Sequence, residues 1–358
     1  MNEVAVAKHT LSTQLLATTE DATAWPTQVG RTAFGDLALR SGESLPGAVL
    51  TWKSFGTLSP ARDNVIVYPT SYAAKHADIA WLIGPEGILD PTRWFIVIPD
   101  MFGNGSSSSP SNTQGYPTLV TTEDNVRAQQ RLLAEVFGIE RVACAYGFSM
   151  GAQQAYHWAA LFPDRVDRAI VLCGSARTAV HNQVFLRSLL ATLEAAPEHL
   201  GGGRFSAQPI AAKRAFARIY AAWAMSQDWY RAGLHLTSTG ATSLDQFLDD
   251  HWSPMFTRAA AEDLYAQAVT WTASDIGANA LYGGDLTRAL RAITARVLLM
   301  PSRTDLYFPV ADNAEEVAHL RHAELRPIPS IWGHRAGNPV VNRPDFAFVR
   351  AAVHDWLG

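Results

Sequence analysis

The run Gly147-Phe-Ser-Met-Gly151 sets a serine between two glycines, each two positions away. Where a strand turns sharply into a helix, side chains at those two positions would collide. Glycines there let the backbone bend and push the Ser149 oxygen out over the sheet edge. The next residue then opens a helix, so the Met150 N–H is expected to face the point where a carbonyl oxygen gains negative charge. A serine hydroxyl is too weak an acid to attack a carbonyl unaided. The chemistry therefore calls for a histidine to take its proton and a carboxylate to orient that histidine.

In a strand-turn-helix arrangement of this kind the acid and then the histidine follow the serine along the chain. Of the 11 histidines, His334 closes Ile331-Trp-Gly-His334, a loop of small neighbours just past the final strand-like run. His354 falls in the terminal helix, and His319 and His322 flank a helix end, where surface or capping roles suffice. The carboxylate is expected to be Asp305, in the loop Pro301-Ser-Arg-Thr-Asp-Leu-Tyr-Phe-Pro309 beyond another strand-like run. Asp100 also ends a strand but precedes the serine, and Asp285 and Asp312 read as helix caps. The second oxyanion donor is expected from Pro69-Thr-Ser-Tyr72, at the Ser71 N–H, and Tyr72, Phe148 and Arg335 are the candidates for substrate contact. No metal site is expected, because the one close histidine pair, His319 and His322, lacks a carboxylate or cysteine at ligand spacing. No glycine-rich nucleotide loop follows a strand, so no cofactor is expected either.

The elements that must position these residues alternate along the chain. Residues 1–30 are polar and aperiodic and read as an extended arm, after which residues 33–40 and 48–56 read as an antiparallel hairpin. Continuous apolar runs at 64–68, 94–99, 141–146, 168–173, 296–300 and 324–328 have the length of strands buried on both faces. Helical stretches at 122–137, 151–162 and 344–357 separate or follow them, which predicts a mostly parallel sheet covered on both sides. Between the strands at 168–173 and 296–300 lies an Ala-rich helical insertion, with helices expected at 211–225 and 256–271. The expected organisation is a core of residues 1–175 and 296–358 with a helical cap of 176–295. Trp223, Trp229, Tyr230, Trp252, Tyr265, Trp271 and Tyr282 are expected to build the cap's own core and a subunit interface, with a mainly substrate-lining role as the alternative.

With 358 residues, 48% of them hydrophobic and 17% charged, the chain can bury a large core and is not a disordered protein. A net charge of −4 without long runs of one sign argues against nucleic acid and against a membrane surface, leaving a small-molecule partner. Two cysteines, Cys144 and Cys173, both inside apolar runs, suit no disulfide framework and point to a reducing cytoplasm. No signal-peptide core and no run of apolar residues long enough to span a bilayer is apparent.

With these features in place, the sequence resembles the homoserine O-acetyltransferase branch of the α/β-hydrolase superfamily over nearly its whole length. The matching stretches are Leu39-Arg-Ser-Gly-Glu-Ser-Leu-Pro46, Lys53-Ser-Phe-Gly-Thr-Leu58, the serine motif with Gln154, Phe162-Pro-Asp-Arg-Val166 and Asp305-Leu-Tyr-Phe-Pro309. The resemblance implies an α/β-hydrolase fold with a long cap after the sixth strand, Ser149, Asp305 and His334 in the triad roles, and a homodimer through the cap. Two departures bear on the substrate. Transferases of that branch follow the histidine with Asp-Ala-Phe-Leu, whereas this chain has His334-Arg-Ala-Gly-Asn-Pro339. Their first cap helix carries an arginine for the homoserine carboxylate, and the best local match, Asn182-Gln-Val-Phe-Leu186, puts leucine there. Arg187 is one residue on, about 100° around a helix. The expected activity is therefore that of a serine acyl-enzyme hydrolase on a small acyl substrate. Homoserine O-acetyltransfer from acetyl-CoA is the alternative, and a non-catalytic ligand-binding protein on the same fold is a more remote one.

Overall fold

The computed structural model describes residues 11–19 and 25–358. Among these, nine strands form one sheet: β1 (Ser12–Thr19), β2 (Thr27–Ala38), β3 (Ser44–Phe55), β4 (Val65–Val67), β5 (Phe95–Pro99), β6 (Cys144–Phe148), β7 (Arg168–Leu172), β8 (Arg296–Met300) and β9 (Ala323–Leu325). Their spatial order is β1-β2-β3-β5-β4-β6-β7-β8-β9. The pairs β1/β2, β2/β3 and β3/β5 are antiparallel, and every pairing from β5 across to β9 is parallel. Every residue of β4, β5 and β6 is buried, as the apolar runs require of strands covered on both faces.

The helices are α1 (His76–Ile79), α2 (Thr122–Phe137), α3 (Met150–Leu161), α4 (Val180–Glu194), α5 (Ile210–Ala224), α6 (Gln227–Arg231), α7 (Leu234–Thr237), α8 (Leu244–Phe247), α9 (Ser253–Thr257), α10 (Ala261–Thr272), α11 (Leu286–Ala292), α12 (Val310–Val317) and α13 (Arg343–Leu357). The start of α2 is set by a reciprocal Thr121/Asp124 capping box and its end by Gly138 in the left-handed region, φ 66°. Alternate strand residues serve opposite faces. Val65, Val97, Ala145, Val171 and Leu299 pack with α2, α3 and α11, while Ile66, Ile98, Tyr146, Ile170 and Leu298 pack with α1 and α13.

Two expectations for the N-terminal part need correction. Within the stretch read as a polar arm, residues 12–19 form edge strand β1 and β2 begins at Thr27; residues 1–10 and 20–24 lie outside the described residues. An edge strand needs only one paired side, so a strand whose Leu15 and Leu16 are exposed carries little apolar patterning. With β1 counted, the insertion follows the seventh strand of this chain, between β7 and β8.

That insertion holds α4 to α11; α11 packs on the sheet, while the helices before it share an apolar core in which Phe185, Leu189, Phe216, Trp229, Trp252 and Trp271 are buried. The helix expected at 256–271 is broken into α9 and α10, and α9 is preceded by a π-helical turn, Leu248–Trp252. The break is closed by the buried Lys213, whose ammonium donates to the Thr257 carbonyl at 3.0 Å, the Ala259 carbonyl at 2.8 Å and Gln208 Oε1 at 2.9 Å. Trp229, Trp252 and Trp271 sit in the cap core as expected, with Trp223, Tyr230 and Tyr265 packed around it. Tyr282 does not; it packs with the sheet core and donates to the Ala160 carbonyl of α3. No helix of the described residues is long and apolar enough to cross a membrane.

Candidate active site

Strand β6 delivers the chain into Ser149, whose φ of 59° and ψ of −126° lie in a region that side chains rarely occupy. The flanking glycines are there for space. A Cβ on Gly147 would stand 2.1 Å from the Gly151 carbonyl oxygen, and one on Gly151 would stand 2.6 Å from the Pro69 carbonyl oxygen. The Ser149 N–H donates to the Leu172 carbonyl at 3.0 Å, which ties the turn to the end of β7. Strain of this kind costs about 1–3 kcal/mol and persists where surrounding structure fixes it.

The structure brings Ser149, His334 and Asp305 into one line. Ser149 Oγ lies 2.9 Å from His334 Nε2, and His334 Nδ1 lies 2.7 Å from Asp305 Oδ2. Both contacts are satisfied by the imidazole tautomer that donates from Nδ1 to the carboxylate and accepts the serine hydroxyl at Nε2. All three residues are buried. The other carboxylate oxygen, Asp305 Oδ1, accepts the N–H groups of Tyr307 at 2.8 Å and Phe308 at 3.2 Å. The imidazole is boxed by aromatic rings, with centroids at 4.6 Å for Phe148, 4.8 Å for Tyr307 and 5.6 Å for Phe308. Its loop turns at Gly333, φ 59°, where a Cβ would lie 2.7 Å from the Ala224 carbonyl oxygen of the cap.

Cys173, at the end of β7, had no role in the sequence reading. Its Sγ and one ligand-type atom each of Asp305 and His334 lie within 4.8 Å of one another. Burial, and then the Asp305 carboxylate, push the thiol's pKa well up, so it stays protonated beside the acid. The three residue types could hold a cation, but here both His334 nitrogens are engaged by Ser149 and Asp305. Asp100 stands apart from this line: it is fully buried and accepts the His76 N–H and the His76 ring Nδ1, each at 2.7 Å. Asp285 caps α11, and Asp312 lies in the first turn of α12. His354 Nε2 lies 3.2 Å from the Gly87 carbonyl oxygen, far along the chain from the serine turn.

Met150 is the first residue of α3, and Ser71 lies in the loop after β4. Among the described residues neither N–H donates to a protein acceptor. The Ser71 hydroxyl donates to the Phe148 carbonyl at 2.6 Å, which fastens this loop to the serine turn. Beyond it, the Tyr72 hydroxyl donates to the Leu264 carbonyl at 2.7 Å, and the Ala73 N–H donates to Gln267 Oε1 at 2.7 Å. Both acceptors belong to α10 of the cap.

A cavity of about 240 Å³ opens above Ser149 and His334, and Ser71, Tyr72, Phe148 and Arg335 all line it. Its remaining wall includes Tyr220, Trp252, Met255 and Arg258 from the cap. Of those four, only Trp252 is among the aromatics singled out in the sequence, since which face of a cap helix meets the core is settled by tertiary packing. A second cavity of about 290 Å³ shares Trp252, Met255, Arg335, Asn338 and Val340 with the first. Leu186 is fully buried in the cap core, while Arg187 is exposed and Arg177 pairs with Asp275 at 2.5 Å.

Residues 81–334 match the family described as alpha/beta hydrolase fold. The ethyl acetate hydrolase of Pseudomonas veronii is 34% identical over 308 residues, spanning 84% of this chain and 87% of that protein. The structure of the acetyl esterase MekB superposes with a TM-score of 0.86 at 31% identity, covering 91% of this chain and 96% of that one. The homoserine O-acetyltransferase of Leifsonia xyli is 28% identical over 322 residues, spanning 80% of this chain and 79% of that protein.

Proposed function

Because the chain belongs to the α/β-hydrolase family, we propose that it is a serine hydrolase that cleaves small carboxylic esters through an acyl-enzyme. The observation that carries the reading is the buried line Asp305–His334–Ser149, with steps of 2.7 and 2.9 Å, ending in a cavity of about 240 Å³. His334 takes the Ser149 proton as the oxygen attacks the ester carbonyl. Asp305 holds the imidazole's tautomer and stabilises the imidazolium, and the Met150 and Ser71 N–H groups meet the developing oxyanion. The imidazolium returns its proton to the leaving alkoxide. Water, activated by His334, then attacks the acyl-Ser149 ester and releases the carboxylic acid.

The cavity's volume, below the roughly 300–1,000 Å³ of drug-sized sites, supports a short acyl group and a small alcohol. The likeness to an ethyl acetate hydrolase and an acetyl esterase supports an acetyl ester. Leu186 leaves the cap helix without the arginine that the transferase resemblance puts there, and the likeness to ester hydrolases supports water as the acyl acceptor. The reading includes a homodimer contact through the cap, supported by Val180 and Val184, exposed on the same face of α4, and a reducing cytoplasm, supported by two buried, unbridged cysteines. Light scattering at rising protein concentration tests the dimer.

The test of the reaction supplies acetyl-CoA with and without L-homoserine and compares CoA release with hydrolysis of ethyl and p-nitrophenyl acetate. Ester turnover indifferent to homoserine is expected. Saturable, homoserine-dependent CoA release with kcat/KM above about 10⁴ M⁻¹s⁻¹ would overturn the hydrolase reading.

A further inference from the structure

Arg335 follows the proton-accepting histidine directly and lines both the cavity above Ser149 and the apolar cavity beside it. Among the described residues its guanidinium makes no hydrogen bond and no ion pair. A guanidinium offers five N–H donors in a rigid fork, and half-buried Arg335 leaves them free to meet a ligand in the cavity. Burial lowers its pKa. At the rim, exposed Arg258 donates through Nε to the Pro254 carbonyl at 2.9 Å and, among the described residues, has no carboxylate partner. Among the described residues Asp78 is the one carboxylate lining this cavity, and its Oδ2 already accepts the Lys75 N–H at 2.8 Å. Tyr72, Ile79, Phe148 and Trp252 supply apolar and aromatic wall, beside the polar Ser71 and Asn338, and no carboxylate other than Asp78 among the described residues competes for the guanidinium there.

We propose that the substrate is an ester bearing a carboxylate, which the Arg335 fork binds while Ser149 attacks the ester carbonyl. The proposal rests on the ester-hydrolase reading for its chemistry and adds the charge class of the substrate. A planar carboxylate matches the fork with two parallel hydrogen bonds, and it fits a small cavity better than a bulkier hydrated anion does. The arginine takes no part in bond making; it fixes where the ester sits relative to Ser149.

The experiment compares matched esters on the wild-type enzyme: ethyl hydrogen succinate against diethyl succinate for a carboxylate on the acyl side, and O-acetyl lactate against its methyl ester for one on the alcohol side. In at least one pair the anionic member is expected to have the higher kcat/KM, by about 10–150-fold, the range of a charge-assisted pair. Arg335→Gln should collapse that ratio toward unity. Arg335→Lys, which keeps the charge and the bulk but not the fork, should retain part of it and guards against a folding defect in the first variant. The pair that responds identifies which side of the ester carries the carboxylate. A wild-type preference for the neutral member in both pairs, or a ratio unchanged in Arg335→Gln, overturns the proposal. Calorimetric binding of succinate to Ser149→Ala protein gives a readout independent of turnover. If no ester is hydrolysed but succinate binds in an Arg335-dependent way, the hydrolase reading fails and the anion site stands. If succinate does not bind, the anion site is refuted.

Discussion

Asp305 uses both oxygens: one orients His334 at 2.7 Å, and the other collects the Tyr307 and Phe308 N–H groups. An amide in its place would keep the shape but present an N–H donor where the imidazole also donates, and so would favour the wrong tautomer. Asp305→Asn is expected to lower kcat on p-nitrophenyl acetate by about 10⁴ at neutral pH. A variant within about threefold of wild type would move the orienting role to another carboxylate. Ser149, His334 and Asp305 could be singled out in the sequence because Ser149 follows β6 directly and the other two sit in the loops after β8 and β9, so local pattern and chain order suffice. Cys173 could not. A cysteine closing an apolar run reads as filler, and its place beside Asp305 exists only once β7 and β8 lie side by side.

The loop after β4 is held from two sides, the core and the cap. On the core side the Thr70 N–H donates to the Pro99 carbonyl at 3.2 Å, and Asp100, at the end of β5, holds the first turn of α1. On the cap side, Gln267 of α10 accepts the N–H of Ala73, a residue in the left-handed region at φ 56°. Without that acceptor the strained turn next to Ser71 loses a fixed point. Gln267→Ala is therefore expected to lower kcat for ester hydrolysis by more than about 10-fold, yet by less than the 10²–10³ that removal of a whole oxyanion donor costs. A kcat within about twofold of wild type, with fold intact by circular dichroism, would show that cap and loop are not coupled in this way. The sheet and its covering helices were largely legible because buried parallel strands are unbroken apolar runs. The cap was legible only as helical: its break at residues 258–260 depends on Lys213 from α5 reaching the exposed carbonyls. Strand β1 escaped notice because its pairing is a backbone property that polar side chains do not announce.

Cap and core are joined at a buried carboxylate. Glu316 of α12 accepts the Tyr156 hydroxyl of α3 at 2.8 Å, the Asn313 amide at 2.9 Å and the Ala176 N–H, at the root of the cap, at 2.7 Å. Burial pushes its pKa up from the usual 4.5 to about 7, although those three donors pull the other way. The folded chain therefore holds a proton there that the unfolded chain releases. The stability this supplies is complete below about pH 4.5 and is lost as pH rises through about 7. Urea unfolding at about pH 5 and about pH 8 should show wild-type stability falling more than that of Glu316→Gln, whose side chain does not titrate. Equal slopes for the two proteins would contradict this account. At the level of the whole enzyme, everything converges on the hydroxyl of Ser149. The most direct measurement is steady-state hydrolysis of p-nitrophenyl acetate by Ser149→Ala beside wild type. The covalent route disappears while the oxyanion donors remain, so kcat is expected to fall by about 10⁴–10⁶. A variant retaining more than about a tenth of wild-type kcat would contradict catalysis through this serine.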